Sequence, residues 1–221
     1  MKLMPALPES TFDIAYLAFA IISGSLMLKK AKGNRLGYLF GSMVLILGCG
    51  DAFHLVPRVL HYFTDLELTA ALGIGKIVTS VTMTVFYVLL EYARRERYGD
   101  ARKGALLAIW VLAVVRVALC LFPQNGWTSE NPSLTWGVVR NIPFLLIGIM
   151  SVILWAVSAN GDRSLRLIAL YVALSFAFYI PVVLFAGSVP IIGMLMLPKT
   201  VCYILMIVAF RRTLQAAKDN Q

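Results

Sequence analysis

Seven ionisable side chains interrupt stretches of this chain that are otherwise suited to hydrocarbon: Asp51, His54, Lys76, Glu91, Arg116, Arg140 and Lys199. An ionisable group at bilayer depth costs a few kcal/mol, roughly 2.5–3.5 on insertion scales, so its default place is the interior of a helix bundle, where it marks a pathway or a site. Several cations face one deep carboxylate, Asp51, and the excess is compensated either by an anionic ligand or by water and the loss of a lysine's proton. Arginine offers a planar fork to a carboxylate or phosphate, and lysine offers a point charge. The expected ligand-binding set is Lys76, Lys199, Arg140, Asp51, His54, Asn141 and Tyr203. No catalytic or metal-ligating residue is assigned, and no cofactor is required.

Spacing supports this grouping. Asp51, His54 and Arg58 recur at i, i+3 and i+7 and share one helix face. Lys76 leads through Thr79 or Ser80, Met83 and Tyr87, Lys199 leads to Tyr203, and Ser175 lies one turn before Tyr179. Arg140 and Asn141 stand just before Pro143, and Pro198 precedes Lys199, so both places are expected to be locally broken helix. At about 1.5 Å of rise per residue, Asp51, His54, Lys76, Arg140 and Lys199 all fall within the same outer half of the membrane. His54 beside Asp51 would suit proton coupling, because imidazole titrates near neutral pH. Three charges have structural readings instead. Arg116 is expected to snorkel outward, Arg58 to sit at an interface, and Glu91 to pair with Arg94 or Arg95 at a helix end.

The elements that must position these residues are plain. Of 221 residues 60% are hydrophobic and only 14% charged, with a mean hydropathy of +0.81, whereas a soluble domain has about a quarter of its residues charged. Segments long enough to span, roughly 17–25 residues, occur at 12–28, 36–57, 69–92, 105–122, 134–157, 164–186 and 190–210. The fold class is an all-α integral membrane protein of seven transmembrane helices. Its first apolar run ends in "LKKAKGNR" without a small-residue cleavage site, so it reads as a span and not as a signal peptide. Cys49, Cys120 and Cys202 all lie inside spans, which excludes a disulfide framework.

The net charge of +9 is explained by location. Most of the Lys and Arg residues fall in alternate loops and the tail: Lys29, Lys30, Lys32 and Arg35; Arg94, Arg95, Arg97, Arg102 and Lys103; Arg163 and Arg166; Arg211, Arg212 and Lys218. The positive-inside rule then places the N-terminus outside and the C-terminus inside. Nucleic acid is excluded as a partner. The expected partners are the lipid bilayer and a small anionic ligand or lipid headgroup, in a cell membrane of the bacterial inner-membrane kind. Tyr62, Phe63, Trp127 and Trp136 read as an outer aromatic belt.

An internal repeat organises the spans. "AKGNR" (31–35) matches "ANGDR" (159–163), "AFHLVP" (52–57) matches "AFYIP" (177–181), and "KIVTSVTMTVFYVLLEYARR" matches "KTVCYILMIVAFRR". This divides the single membrane domain into a first three-helix repeat (1–98), a linker helix (99–127) and a second three-helix repeat (128–221). An odd linker makes the repeats parallel, related by an axis along the membrane normal. The three-one-three plan resembles the SWEET and PQ-loop transporter group in topology, and more distantly the seven-helix opsins; the resemblance implies architecture only.

The function expected is a transporter or binder of a small anion, and not an enzyme. Two alternatives stand beside it. An intramembrane metal-dependent hydrolase would need Asp51, His54 and His61 as ligands, with the helix unwinding after Pro57. A receptor or opsin-like sensor would use Lys199, with Asp51 as counterion.

Overall fold

The computed structural model describes residues 3–100, 103–129 and 132–219. Arg102 and the side chain of Lys218, two of the expected loop cations, lie outside the described residues. The helices are α1 (Leu3–Ala31), α2 (Arg35–Phe63), α3 (Thr69–Tyr98), α4 (Lys103–Leu121), α5 (Leu134–Ser158), α6 (Ile168–Phe185) and α7 (Met196–Asp219), with short 3-10 turns at Pro123–Asn125 and Pro190–Leu195. No strand occurs among the described residues, and seven helical segments are long and apolar enough to cross a membrane. Helices suit that setting because each satisfies its own backbone where no water can.

Local chemistry fixes the helix ends. The Asn34 side chain accepts from the Gly37 N–H at the start of α2, and Ser133 does the same for Trp136 at the start of α5. α3 stops at Gly99, whose φ of 65° is the left-handed conformation that ends helices. The loops "AKGNR" and "ANGDR" are built alike. Gly33 has φ 88° and Gly161 has φ 98°, and in each loop the next residue donates its N–H to an alanine carbonyl three residues back, Asn34 to Ala31 at 2.7 Å and Asp162 to Ala159 at 3.0 Å.

Pro143 does not break its span as the sequence suggested, whereas Pro198 stands in the first turn of α7 directly after the 3-10 turn Pro190–Leu195. Pro57, Pro143 and Pro181 all sit inside continuous α-helix. Neighbouring helices make this tolerable in a membrane bundle. Pro57 deprives the Phe53 carbonyl of its helical donor, and that carbonyl is where α3 comes closest: a Cβ at Gly75 would overlap it. A Cβ at Gly50 would likewise overlap Thr82, and the Thr79 hydroxyl donates to the Gly50 carbonyl at 3.1 Å. Glycines on both sides thus let α2 and α3 pack backbone to backbone.

Consecutive helices pack side by side, and α7 closes the ring against α1. α3 also touches α5, while α4 lies outside that contact against both. The interior is aromatic: Phe40 of α2 stacks on Phe210 of α7 at 4.4 Å, and Tyr87 meets Phe86, Phe144 and Phe176 at 5.3 to 5.6 Å.

The end carrying the basic loops is locked by ion pairs. Arg94, fully buried, bonds both oxygens of buried Glu91 at 2.7 and 2.8 Å, Asp100 at 2.7 Å and the Ser158 hydroxyl of α5 at 2.6 Å. The expected helix-end pair of Glu91 is present, and it is deeper than an end pair need be. Arg97 and Tyr98 both donate to Asp162 at 3.1 Å, so the α5–α6 loop is clamped to the end of α3. Burial tends to raise the Asp162 carboxyl, but the Ser164 N–H and the Arg97 guanidinium outweigh it and hold it below its ordinary value.

Candidate functional site

Lys199 lies in the first turn of α7, only 8% exposed. Its ammonium sits 4.6 Å from the ring centroid of Tyr179 and 5.7 Å from that of Tyr203, a cation held against two aromatic rings. Hydroxyls continue the contact inward. Tyr203 and Tyr87 share a hydrogen bond of 3.1 Å, and Tyr87 is 3.5 Å from the Ser175 hydroxyl. Tyr179 donates to the Asn141 side-chain oxygen at 2.9 Å, while the Asn141 amide donates to the Gly137 carbonyl at 2.8 Å. Lys199, Tyr203 and Asn141, expected together, are joined through Tyr179 of α6.

Arg116 of α4 was expected to reach outward and does not. It is 2% exposed, and its guanidinium carbon stands 3.3 Å over the centroid of the Phe144 ring. Its Nε and Nη1 have no hydrogen-bond partner. Lys199, Tyr179 and Tyr203 are within its electrostatic reach. Two buried cations therefore face the same tyrosines. Among the described residues neither Lys199 nor Arg116 forms an ion pair.

The carboxylates gather between α1 and α2. Asp51 accepts a 2.7 Å hydrogen bond from buried Tyr16, and Lys199 is its cation within electrostatic reach. Glu9 is ion-paired with Arg58 and accepts from Tyr62 at 3.1 Å. Arg58 is thus neutralised by a partner on α1. Asp13 is buried, with one carboxyl oxygen unpartnered. The Asp51 side chain bonds Tyr16 and not His54, whose buried Nδ1 has no partner.

Arg140 and Lys76 form a second tier. Arg140 donates to the Asn125 side chain at 2.8 Å and lies 4.0 Å over the Trp127 ring. Asn125, fully buried, also donates to the Leu119, Cys120 and Phe122 carbonyls and so caps α4. Through Trp127 the α4–α5 loop reaches α3, where a Cβ at Gly73 would overlap the Trp127 carbonyl. Lys76 is exposed, with Arg140 and Arg58 as its charged neighbours. Lys199 has Asp51 and Arg116 instead. His54 is within reach of both lysines.

Arg116, Tyr16, Tyr87 and Tyr179 complete the site beyond the expected set. A crevice of about 90 Å³ between α5 and α6, lined by Asn141, Phe144 and Tyr179, reaches its edge from the side of the bundle. Among the described residues no three His, Cys, Asp or Glu side chains stand together as a metal site, so Asp51, His54 and His61 are not assembled as a hydrolase would require.

The class these features define is an all-helical membrane protein of seven apolar helices with a buried cationic cluster in its core. No known protein family, curated protein or solved structure matches the chain.

Proposed function

We propose that the protein is a carrier of a small organic anion, held between Lys199 and Arg116. The observation that carries this reading is the buried Arg116 guanidinium, with two donors unpartnered and a second buried cation beside it. A carboxylate or phosphate would accept from both groups, and the tyrosine hydroxyls would supply neutral donors around it. Arg140 and exposed Lys76 raise the local concentration of anions on the way in. Asp51 takes the place of the anion's charge opposite Lys199 when the site is empty, and His54 adjoins it as a titrating group.

A parallel repeat with an axis along the membrane normal supports carriage over static binding, since rocking of two like halves about a shared site gives alternating access. The matched turns at Gly33 and Gly161 support that repeat. So does the packing, in which α1 against α7 and α5 against α3 are the contacts that such an axis would exchange. Under the same axis Lys76 near His54 corresponds to Lys199 over Tyr179. The Arg94 and Asp162 contacts would be the gate at the basic end, which the positive-inside rule makes cytoplasmic.

Counterflow of a labelled organic anion in proteoliposomes tests the reading. Saturable exchange that disappears in the Lys199→Met, Arg116→Met double variant is expected. Full exchange by that variant overturns it. A sensor with a chromophore bound to Lys199 is the second reading, favoured by the aromatic rings around a lysine whose nearest countercharge is Asp51. A visible absorbance band after adding retinal, lost in Lys199→Met, would select it.

A further inference from the structure

A cavity of about 680 Å³ opens at the basic end of the bundle, far along the chain's helices from Lys199, where α1, α2 and α7 meet. Its size is that of a ligand site, for which roughly 300–1,000 Å³ is typical. Its lining is divided by chemistry. Lys30, Lys32 and Arg211 supply three cations, Asn34 and Gln215 supply neutral polar groups, and Leu26, Met27 and Leu214 form an apolar wall. Among the described residues no carboxylate lines it. Arg211 is steadied by a 3.4 Å contact with the buried Ser23 hydroxyl of α1, and among the described residues Lys30, Lys32 and Arg211 take part in no ion pair.

The place of this cavity selects its occupant. The cavity lies among the basic residues that follow the apolar runs of α1 and α7, Lys30 and Lys32 on one side and Arg211 on the other, where hydrocarbon is expected to give way to headgroups. Leu26 belongs to the cavity wall and is 38% exposed on the side of the bundle, so the apolar wall continues onto the lipid-facing surface. A free phosphate would use the three cations and leave that wall in contact with water. A phospholipid uses both parts, the phosphodiester on the cations and an acyl chain along Leu26. Basic pockets between spanning helices are the usual form of headgroup recognition.

We infer that this cavity binds an anionic phospholipid of the phosphatidylglycerol kind, with its phosphodiester among Lys30, Lys32 and Arg211. The lipid bridges α1 and α7, the seam that closes the ring of helices. It therefore stabilises the closed bundle, independently of any anion held at Lys199.

Native mass spectrometry of the protein in uncharged detergent, titrated with dioleoylphosphatidylglycerol, tests this. One tightly retained lipid is expected, with dioleoylphosphatidylcholine at least tenfold weaker and inorganic phosphate unable to displace it. The Lys30→Gln, Lys32→Gln, Arg211→Gln variant should weaken retention by on the order of a hundredfold. Lys30→Gln alone, which removes an exposed side chain without touching packing, should weaken it by roughly fivefold and serves if the triple variant fails to fold. An Arg163→Gln, Arg166→Gln variant removes the same kind of charge from another loop and should leave retention unchanged. Equal retention of phosphatidylcholine, displacement by phosphate, unchanged binding in the Lys30 variant, or an equal loss in the Arg163 and Arg166 variant would each overturn the inference.

Discussion

Replacing Arg116 by methionine should make the empty protein more stable. Two guanidinium donors are buried without partners, and an unpaired buried polar group costs about 1–3 kcal/mol. The Phe144 ring offsets part of that cost, since a desolvated cation–π contact contributes about 2 kcal/mol. Methionine keeps much of the side chain's length and fills the same space against Phe144 with no charge to solvate. Two such groups cost about 2–6 kcal/mol, and with the ring contact subtracted the net gain is about 0–4 kcal/mol. For a chain of this size that corresponds to a rise in Tm of up to roughly 16 °C. The assay is thermal unfolding in detergent without added anions, followed by tryptophan fluorescence. The same variant should lose whatever stabilisation an anionic ligand gives to the native protein. A fall of more than about 1 kcal/mol on substitution would refute the reasoning, because it would mean that the guanidinium is satisfied in the folded state and serves structure.

At the basic end the sign reverses. Arg94→Ala leaves Glu91, 2% exposed, as a buried charge without its bidentate partner, and should cost about 3–5 kcal/mol; an unchanged Tm would contradict the lock described there. Asp162 is held below its ordinary value when folded, so its contribution to stability is present above the unfolded carboxylate value of about 3.9 and is lost as pH falls through the lower folded value. Thermal unfolding from pH 6 down to pH 2 should therefore show a shallower acid limb in Asp162→Asn than in the native chain, and identical limbs would contradict the assignment.

What was legible in the sequence follows from the physics that wrote it. Spanning helices must be long and apolar, so all seven could be placed from hydropathy, but hydropathy does not mark where a helix stops: α3 runs six residues past its expected end to Tyr98, and α7 nine past its own to Asp219. Pro143 misled because the rule that proline breaks a helix comes from water, where the freed carbonyl finds solvent. At Pro57 the freed carbonyl instead meets the backbone of α3 at Gly75, a contact between residues far apart in sequence. Arg116 misled for a related reason. It lies in "WVLAVVRVALCLF", where every helix face is apolar, so nothing in the pattern says which face turns inward. Only the packing of α4 against α3 and α5 aims it at Phe144. Lys199 and Tyr203 were legible because they sit one turn apart on one helix. Tyr16 was not, because its partner Asp51 is on another helix.

The central claim is that two buried cations hold an anion. A thermal-shift screen of small carboxylates and phosphate esters, each run beside its uncharged amide or alcohol, tests it most directly. The account predicts an anion that raises the Tm of the native protein while its neutral counterpart does not, with the shift lost in both Lys199→Met and Arg116→Met and kept in Lys30→Gln. A shift of full size in the Lys199→Met, Arg116→Met double variant would contradict it.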